Sequence, residues 1–537
     1  MLSVSAKMDA VTNVWALLAP KLATFGNLGA QLSGDDHRSV ELFSTLESKV
    51  RSIGQVIRKH MEFGGASNRI VVLKIANPLF VAPMLLAFWK NGVACALLNP
   101  ECKQAELKQM QEVTASSFLI EDEPQVAVWM AGVVIKGMST DLSNALQAAD
   151  QAEYEIGEDR SEEQPNLDDV ALILSSSGST GLPKGVALSH RNLIAVLQDS
   201  STFVEKGSRA LCVLPLCHAF GLVLMLMCLK EGALLVLMRK FNLKNYFFAA
   251  SRHKVDTLFV VPPILKMICD NIQEAKRTMT QVTKILTGAS HVKAEWQRRV
   301  ADNLPLRPQM CHSYGLTETT FTVLAGESRA DKPGSPGKVC RGFSCKVVDP
   351  SSGERLSANQ TGELLVKSDS VMLGYVNNPA ASAEAFRDGW LRTGDLCFFD
   401  PEGYFFVVDR IKDVIKFNSH QISPAELEGV VARVAGVLDV AVVGVPHPSH
   451  GETPHALVVR QDHSDLTEAK VMQAVSESVS AYKQLHCVTF VNQLPKTLSG
   501  KIQRKKALAL IYPARDRIPS ALDTPQKSAQ HPSEDNS

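Results

Sequence analysis

The 537-residue chain has no excess of charge of either sign, because lysine plus arginine and aspartate plus glutamate both total 56. Proteins that bind nucleic acid or an acidic membrane surface usually carry a basic excess, so the composition argues against both classes. The eleven cysteines include no CxxC pair and no regular spacing. Their distribution excludes the signature of a zinc site or a disulfide framework, and it favours free thiols in a reducing compartment.

The chain also lacks a clean apolar run of the length needed to span a membrane. Its most apolar stretch, from Leu211 to Cys228, is interrupted by Pro215, His218 and Gly221, which predicts a buried strand and helix. The N-terminus has no signal-peptide pattern, although its few acids leave a transit peptide open. The chain ends in SEDNS and not in a peroxisomal SKL-type signal, so a cytoplasmic location is expected.

A P-loop is missing too, although the stretch ALILSSSGSTGLPKGVALSHRNL, residues 171–193, combines glycines, hydroxyls and a lysine between an apolar run and a helical segment. Counting from Gly178 puts Pro183 where the motif needs its second glycine, and Gly185 where it needs a hydroxyl. Proline has no N–H to donate to a phosphate. The composition of this segment still indicates a phosphate-binding loop of another kind.

Strand-like and helical patterns alternate from about residue 40 to 330, which predicts an α/β fold with parallel sheets covered on both faces. Between 334 and 410 the pattern changes to turns and short alternating strands, as expected for a small β-barrel-like part. A separate small α+β pattern follows, in which Ser423 to Glu426 form a capping box that predicts a helix start. We predict an N-terminal extension (1–39), a large domain (40–411), a mobile C-terminal domain (412–512) and a disordered tail (513–537), without internal repeats.

Four later segments gather hydroxyls, acids and basic residues at expected turns: residues 312–318, 393–395, 409–412 and 494–501. Each alone is typical of a solvated turn. Together with the first loop, and in this order, they resemble the adenylate-forming family of acyl-CoA synthetases, 4-coumarate–CoA ligases and beetle luciferases from about residue 40 to 507. The matching blocks are SSGSTGLPKGV, LPLCHAFG, YGLTETT, KPGSPGK, GYVNNP, DGWLRTGDL, VDRIKDVIK, SPAELE and LPKTLSGKIQRK.

The resemblance implies that a carboxylate is joined to the α-phosphate of ATP with loss of pyrophosphate, which supplies AMP as a leaving group. Cations and oriented donors must then offset the repulsion between two anions. The implied phosphate-loop residues are Ser176, Ser177, Gly178, Ser179, Thr180 and Lys184. Tyr314 is implied to lie near adenine, Asp395 to bind the ribose, and Lys412 to act as the hinge between the domains. The remaining implied nucleotide contacts are Gly288, Ala289, His312, Ser313, Thr317 and Arg410. Thr180 and Glu318 are the implied Mg²⁺ ligands.

The resemblance also assigns the catalytic steps. Lys501 matches the lysine that bridges the carboxylate and the α-phosphate, and His218 is expected near the carboxylate or the incoming thiol. Rotation about the hinge would withdraw Lys501 and bring in the loop around Lys416 and Gln421 for thioester formation. The implied coenzyme A contacts are Lys240, Asn418 and Ser419, and the implied acid pocket is lined by Phe220, Leu224, Gly288 and Ser313.

Three departures bear on substrate and activity. Asn418-Ser419 replace the usual Lys-Gly of the pantetheine tunnel, which predicts weakened coenzyme A use unless the loop shifts. Phe220 and Leu224 replace hydroxyl side chains that meet a phenol, which favours a fatty or cinnamate-like acid because a buried unpaired hydroxyl costs about 1–3 kcal/mol. His312-Ser313 replace the usual Gln-Gly, and Ser313 would trim the pocket floor.

The sequence thus predicts an ATP-dependent carboxylate–coenzyme A ligase that uses ATP, Mg²⁺ and coenzyme A. Its partners are small molecules only, and we expect a monomer or weak homodimer. Two alternatives stay open at this point. One is a luciferase-like oxygenase, and the other is an adenylating protein with impaired transfer to coenzyme A.

Overall fold

The structure is a computed structural model, and the residues that it describes are 11–25, 29–33, 40–61, 69–122, 127–130, 133–134, 136–147, 165–176, 184–289, 292, 294–417, 420–447, 449–497 and 500–511. The chain divides into two compact units, residues 1–411 and residues 412–537. We call them the large unit and the small unit. An α/β fold with a large N-terminal part and a smaller C-terminal part is therefore confirmed.

The strands follow the chain in this order: β1 Gly29–Ser33, β2 Val40–Leu42, β3 Ile70–Lys74, β4 Ala94–Leu97, β5 Phe118–Glu121, β6 Ala127–Met130, β7 Val133–Val134, β8 Val170–Ser176, β9 Lys184–Ser189, β10 Arg209–Cys212, β11 Leu234–Leu237, β12 Thr257–Val260, β13 Lys284–Thr287, β14 Gln309–Gly315, β15 Thr322–Glu327, β16 Lys338–Val339, β17 Ser344–Val348, β18 Gly362–Lys367, β19 Gly374–Tyr375, β20 Phe386–Arg387, β21 Trp390–Phe399, β22 Phe405–Arg410, β23 Ile415–Phe417, β24 His420–Ile422, β25 Val437–His447, β26 Gly451–Arg460 and β27 Cys487–Phe490.

The helices are α1 Val14–Phe25, α2 Phe43–His60, α3 Pro78–Lys90, α4 Gln104–Thr114, α5 Lys136–Gln147, α6 His190–Gln198, α7 Ala219–Glu231, α8 Leu243–Arg252, α9 Pro262–Asp270, α10 Ile272–Thr278, α11 Ala294–Asn303, α12 Pro379–Ala385, α13 Pro424–Val431, α14 Glu468–Ser478 and α15 Arg504–Ile511.

Two sheets with parallel centres form most of the large unit. The nine-stranded sheet runs β16-β15-β14-β13-β12-β10-β11-β1-β2, with parallel pairing from β14 to β1 and antiparallel strands at both edges. The eight-stranded sheet runs β19-β9-β8-β4-β3-β5-β6-β7, and β8, β4, β3 and β5 are parallel. Apolar strands such as β12, whose residues are all buried, suit sheets with both faces covered.

The predicted β-barrel-like part is a five-stranded antiparallel sheet in which β17, β18, β21 and β20 are neighbours and β22 pairs with β21. The small unit contains its own five-stranded sheet, ordered β24-β23-β26-β25 with β27 beside β26. Helix α13 of the small unit begins where the capping box predicted it, because Ser423 Oγ accepts a hydrogen bond from Glu426 N at 3.3 Å.

The large unit begins well before residue 40. Val14, Leu18 and Leu22 on one face of α1 are fully buried. The Val14 amide donates to His190 Nδ1 at 3.3 Å, and burial lowers the pKa of His190 from 6.5 to about 4. Residues 14–25 therefore belong to the large core, where a separate extension was expected.

The apolar stretch from Leu211 to Cys228 is a buried strand and helix, as predicted: β10 ends at Cys212 and α7 begins at Ala219. Within the described part of the chain, no helix has the length and hydropathy to cross a membrane. The tail after residue 512 lies outside the described residues.

Candidate active site

A buried carboxylate in the large unit is held by two partners. Asp395 Oδ2 accepts a hydrogen bond from the Tyr314 hydroxyl at 2.5 Å, and Asp395 Oδ1 pairs with Arg410 Nε at 2.9 Å. Only 3% of Asp395 is exposed. Burial and the Asp395 charge raise the pKa of Tyr314 well above its ordinary value, so the phenol stays protonated and continues to donate.

Strand pairing brings these residues together. Asp395 and Arg410 are direct partners in the antiparallel pair β21–β22. Thr393 accepts a hydrogen bond from the Asp395 amide at 3.1 Å, and its own hydroxyl donates to Leu364 O at 2.8 Å. The three predicted ribose and adenine residues therefore form one connected cluster.

The turn that follows Tyr314 presents Thr317 and Glu318. Its backbone is fixed by the Thr319 hydroxyl, which accepts from Leu316 N at 3.0 Å, and by Thr320, whose hydroxyl donates to Ser370 O at 2.6 Å. Thr320 has a φ of +63°, which threonine seldom adopts, and it is fully buried. The segment YGLTETT thus places a carboxylate at a rigid turn.

Tyr375 joins Glu318 to Lys184. Its hydroxyl lies 3.0 Å from Glu318 Oε1, and Lys184 Nζ lies over its ring, 4.7 Å from the centroid. Sequence reasoning missed Tyr375, although the block GYVNNP was among those that matched the family. An aromatic residue directly after a glycine in that block was the available signal.

The predicted acid pocket meets the nucleotide residues at Gly288. A Cβ on this residue would lie 2.5 Å from Ser313 Oγ and 3.5 Å from the Phe220 ring, so the close approach of Ser313 to this backbone requires glycine. Ser313 Oγ donates to Thr287 O at 3.3 Å, and Phe220 stacks on Phe321 with ring centroids 5.8 Å apart. Ala289 follows with a φ of +70°, and the buried His312 pairs with Thr287 across β13–β14.

Three predicted residues, His218, Phe220 and Leu224, lie at the start of helix α7 or within it, and they differ in exposure. His218 is exposed at the residue before the helix, whereas Leu224 has no exposed surface and packs in the core. Leu224 therefore lines no open surface in this structure. Gly221 lets the helix lie against the backbone, since a Cβ there would be 2.7 Å from Pro215 O. Burial raises the pKa of the neighbouring Cys217 thiol to about 12.

Two further predicted residues of the large unit are described. Ser176 is buried at the end of β8, and its backbone pairs with Lys184. Lys240 is 79% exposed and its ammonium lies 3.8 Å from Glu101. The predicted residues Ser177, Gly178, Ser179, Thr180, Asn418 and Ser419 lie outside the described residues.

In the small unit, Lys501 lies on an exposed turn between Lys496 and Ile502, which form an isolated antiparallel bridge. The Lys501 amide donates to Thr497 Oγ1 at 3.1 Å, and its carbonyl accepts from Thr497 N at 2.8 Å. The backbone thus fixes the turn while the lysine side chain remains exposed.

Lys416 and Gln421 are cross-strand neighbours in the hairpin of β23 and β24. The Lys416 amide donates to Glu452 Oε2 at 2.9 Å, and its side chain is exposed. Lys412 is the first residue of the small unit. The structure thus brings the two predicted thioester residues together and puts the predicted hinge at the boundary between the units.

Among the described residues, no group of three or more histidine, cysteine, aspartate or glutamate side chains is arranged to hold a metal ion. All eleven cysteines are free thiols. Burial raises the pKa values of Cys212, Cys340 and Cys345 to about 12, as it does for Cys217.

Comparison with known proteins gives matches along most of the chain. A family model described as AMP-binding enzyme matches residues 42–376, and a model of the AMP-binding enzyme C-terminal domain matches residues 426–501. Similar proteins in Arabidopsis thaliana include 4-coumarate–CoA ligase-like 9, with 33% identity over 86% of this chain and 84% of that protein. Another is 4-coumarate–CoA ligase 1, with 32% identity over 84% of this chain and 85% of that protein.

Solved structures show the same fold. The o-succinylbenzoate CoA synthetase MenE from Bacillus subtilis, in complex with its acyl-adenylate intermediate, matches with a TM-score of 0.77 and 24% identity over 92% of this chain and 98% of that one. ATP-bound MatB from Rhodopseudomonas palustris matches with a TM-score of 0.78 and 22% identity over 93% and 99% of the two chains. The family model covers more than half of the sequence, and the chain therefore belongs to the AMP-binding enzymes, the adenylate-forming superfamily that its motifs resemble.

Proposed function

We propose that the protein is an ATP-dependent carboxylate–coenzyme A ligase that forms an acyl-adenylate and then an acyl-coenzyme A thioester. The observation that carries this proposal is the cluster in the large unit where Tyr314, Asp395 and Arg410 form one network and Lys184, Tyr375 and Glu318 form another. Relatives named as CoA ligases, 32–33% identical over more than four fifths of the chain, support the same reaction class.

In this proposal the large unit binds the nucleotide. Asp395 accepts hydrogen bonds from the ribose hydroxyls, since a carboxylate can accept several hydrogen bonds at once. Tyr314 lies against the adenine, Thr317 contacts the α-phosphate, and Lys184 with the loop before it contacts the β- and γ-phosphates. Only a few of these groups need to move when ATP binds, because the protein already orients them.

Glu318 fits a magnesium site by its chemistry. Mg²⁺ binds carboxylate oxygens and usually completes its shell with substrate phosphates and water. The Tyr375 hydroxyl bonds Oε1 of Glu318, and in this proposal Oε2 would bind the ion. When bound, the ion would neutralise phosphate charge, and Glu318, with Thr180, would hold it.

The acid would lie against Phe220, close to Gly288. A phenolic hydroxyl there would face the carbon atoms of Phe220, and Ser313 Oγ already donates to a backbone carbonyl. We therefore propose a fatty or cinnamate-like acid over a hydroxycinnamate.

The chemical steps use residues of the small unit. The Lys501 ammonium would stabilise the charge that develops as the acid oxygen attacks the α-phosphorus and pyrophosphate leaves. After rotation about Lys412, the hairpin with Lys416, Asn418, Ser419 and Gln421 would line the path of the coenzyme A thiol, and His218 and Lys240 would contact it from the large unit. The thiol sulfur then attacks the acyl carbon and AMP leaves.

Exchange of labelled pyrophosphate into ATP tests the first step. We expect exchange with medium-chain fatty acids and cinnamate, and roughly tenfold weaker exchange with 4-coumarate, because of its unpaired hydroxyl. Folded protein that catalyses no exchange with any acid would overturn the proposal.

Mass spectrometry of the same reactions with coenzyme A tests the second step. A thioester product supports the ligase. Pyrophosphate release without a thioester would identify an adenylating protein with impaired transfer, and oxygen uptake or light emission would identify the oxygenase alternative.

A further inference from the structure

The segment GYVNNP, residues 374–379, matched the family as a block but has no role in the steps above. Its tyrosine, Tyr375, contacts two residues of the large unit that are predicted to lie near the phosphates, Glu318 and Lys184. The Tyr375 hydroxyl contacts the Glu318 carboxylate, and the face of its ring carries the Lys184 ammonium. The hydroxyl of Tyr375 makes the first contact, and the face of its ring makes the second.

The backbone around Tyr375 fixes both contacts. Tyr375 pairs with Val186 across β19–β9, two residues beyond Lys184. Its amide donates to Ser382 Oγ at 2.9 Å, and the Ser382 hydroxyl donates to Asn378 O at 2.8 Å. On the other side, the Met372 amide donates to the Glu318 carbonyl at 2.9 Å. The strand that carries Tyr375 is therefore attached to the elements of both of its partners.

We propose that Tyr375 is a positioning residue for the phosphate side of the nucleotide site, where its hydroxyl orients Glu318 towards the magnesium ion and its ring keeps Lys184 apart from Glu318. This inference rests on the proposed function, since it concerns how the same site binds ATP with magnesium.

The hydroxyl can act only as a donor towards a carboxylate, and it must therefore be protonated. A tyrosine phenol ordinarily has a pKa of about 10 and is therefore protonated, and able to donate, across the neutral range. A donor on Oε1 limits the rotation of the carboxyl group and favours Oε2 as the oxygen that faces the ion.

The ring of Tyr375 keeps the Lys184 ammonium apart from the Glu318 carboxylate. No ion pair joins the described residues Lys184 and Glu318, although both contact the same side chain. A direct ion pair would neutralise the cation intended for the phosphates and would occupy the carboxylate intended for the metal. The aromatic face stabilises the ammonium without cancelling its charge.

Calorimetric titration of the full-length protein with ATP and no acid tests this inference without turnover. Each variant is titrated once with excess Mg²⁺ and once with EDTA. Tyr375→Phe keeps the ring and removes the hydroxyl, so it should weaken binding about tenfold with Mg²⁺ and leave binding in EDTA unchanged.

Tyr375→Leu also removes the ring, so Lys184 and Glu318 can pair, and ATP binding should weaken in EDTA as well. Adding Glu318→Gln to Tyr375→Leu removes the anion that captures Lys184 and should restore the affinity in EDTA. Tyr404→Phe is the matched control, because Tyr404 also carries lysine ammonium groups over its ring but lies in the turn before β22, apart from Glu318 and Lys184 in the sequence.

Equal ATP affinities for wild type, Tyr375→Phe and Tyr375→Leu under both conditions would overturn the inference. So would an equal loss with Mg²⁺ and with EDTA for Tyr375→Phe, because that pattern indicates a general structural defect. Wild-type protein that binds no ATP would instead overturn the proposed function itself.

Discussion

The two units hold their functional charges in different ways. In the large unit, Asp395, Arg410, Glu318 and Lys184 all contact protein partners, two of them tyrosines. In the small unit, Lys501 and Lys416 lie at exposed positions on a turn and a hairpin, and hydrogen bonds hold their backbone amides.

The hydrophobic cores of the two units also differ in the size and type of their buried side chains. The largest fully buried side chains of the large unit are aromatic, among them Trp89, Tyr246 and Phe88, whereas the buried core of the described small unit is aliphatic. All five tryptophans belong to residues 1–411, so tryptophan fluorescence reports on the large unit. We infer that changes to functional residues in the large unit affect both binding and folding stability, and that changes to the exposed lysines affect only chemistry.

The largest expected effect tests this comparison at Lys501. Lys501→Ala should reduce pyrophosphate exchange by about 100-fold or more, because it removes a charge that acts in the transition state. Its melting temperature should match that of wild type. Lys506→Ala, on an exposed face of α15, should leave both quantities unchanged. Loss of thiolysis from supplied acyl-adenylate in Lys501→Ala would contradict separate roles for the two steps.

Asp395 is the corresponding test in the large unit. Asp395→Asn should weaken ATP binding at least tenfold and lower the free energy of unfolding by about 1–3 kcal/mol, because Arg410 loses its charged partner next to a buried site. Calorimetry and urea denaturation measure the two effects. Asp331→Asn breaks an exposed pair with Arg329 and should cost less than about 0.5 kcal/mol. A free energy of unfolding equal to that of wild type in Asp395→Asn would contradict the inference that this residue also stabilises the large unit.

His190 makes the large unit sensitive to acid. Its folded pKa of about 4 is below the ordinary value of 6.5, so the unfolded chain binds more protons between these two pH values. Stability should therefore fall as the pH decreases from 6.5 to 4, by about 2 kcal/mol between pH 7 and pH 5.

Urea denaturation followed by tryptophan fluorescence measures this loss. The wild type should lose about 2 kcal/mol more than His190→Gln between the two pH values, since glutamine does not titrate. Equal losses would contradict a buried neutral His190.

The smallest expected effect concerns coenzyme A. The double change Asn418→Lys and Ser419→Gly should raise thioester yield about threefold to tenfold, because it restores a cation and widens the thiol path. Pyrophosphate exchange should not change. Unchanged thioester yield would show that these two residues do not limit transfer.

Much of the fold was predictable because its signals are local. The apolar run TLFVVPP gave β12, and Ser423 with its Glu426 gave the start of α13. The place of α1 was not predictable, because its burial depends on a contact with His190, 176 positions along the chain.

In the site, too, residues within local motifs were predictable, and contacts between distant segments were not. Asp395 and Arg410 could be named from the motifs that contain them. The block GYVNNP marked Tyr375 only as an aromatic residue after a glycine, and its contacts depend on strand pairing with β9 and on the turn at Glu318. Burial of the stretch that contains Leu224 was predicted, but whether Leu224 faces an acid pocket was not, because nearly every residue of α7 is apolar and buried and no amphipathic pattern marks a pocket side.

The buried thiols have a consequence for an enzyme that makes an activated acyl group. An acyl-adenylate reacts with any nucleophile that reaches it, and Cys217 is adjacent to His218. Burial raises the pKa of Cys217 to about 12, so the thiol stays protonated at neutral pH, and its side chain is buried. Cys217 is thus a poor competitor for the intermediate, which disfavours its acylation and leaves the activated group for an external thiol.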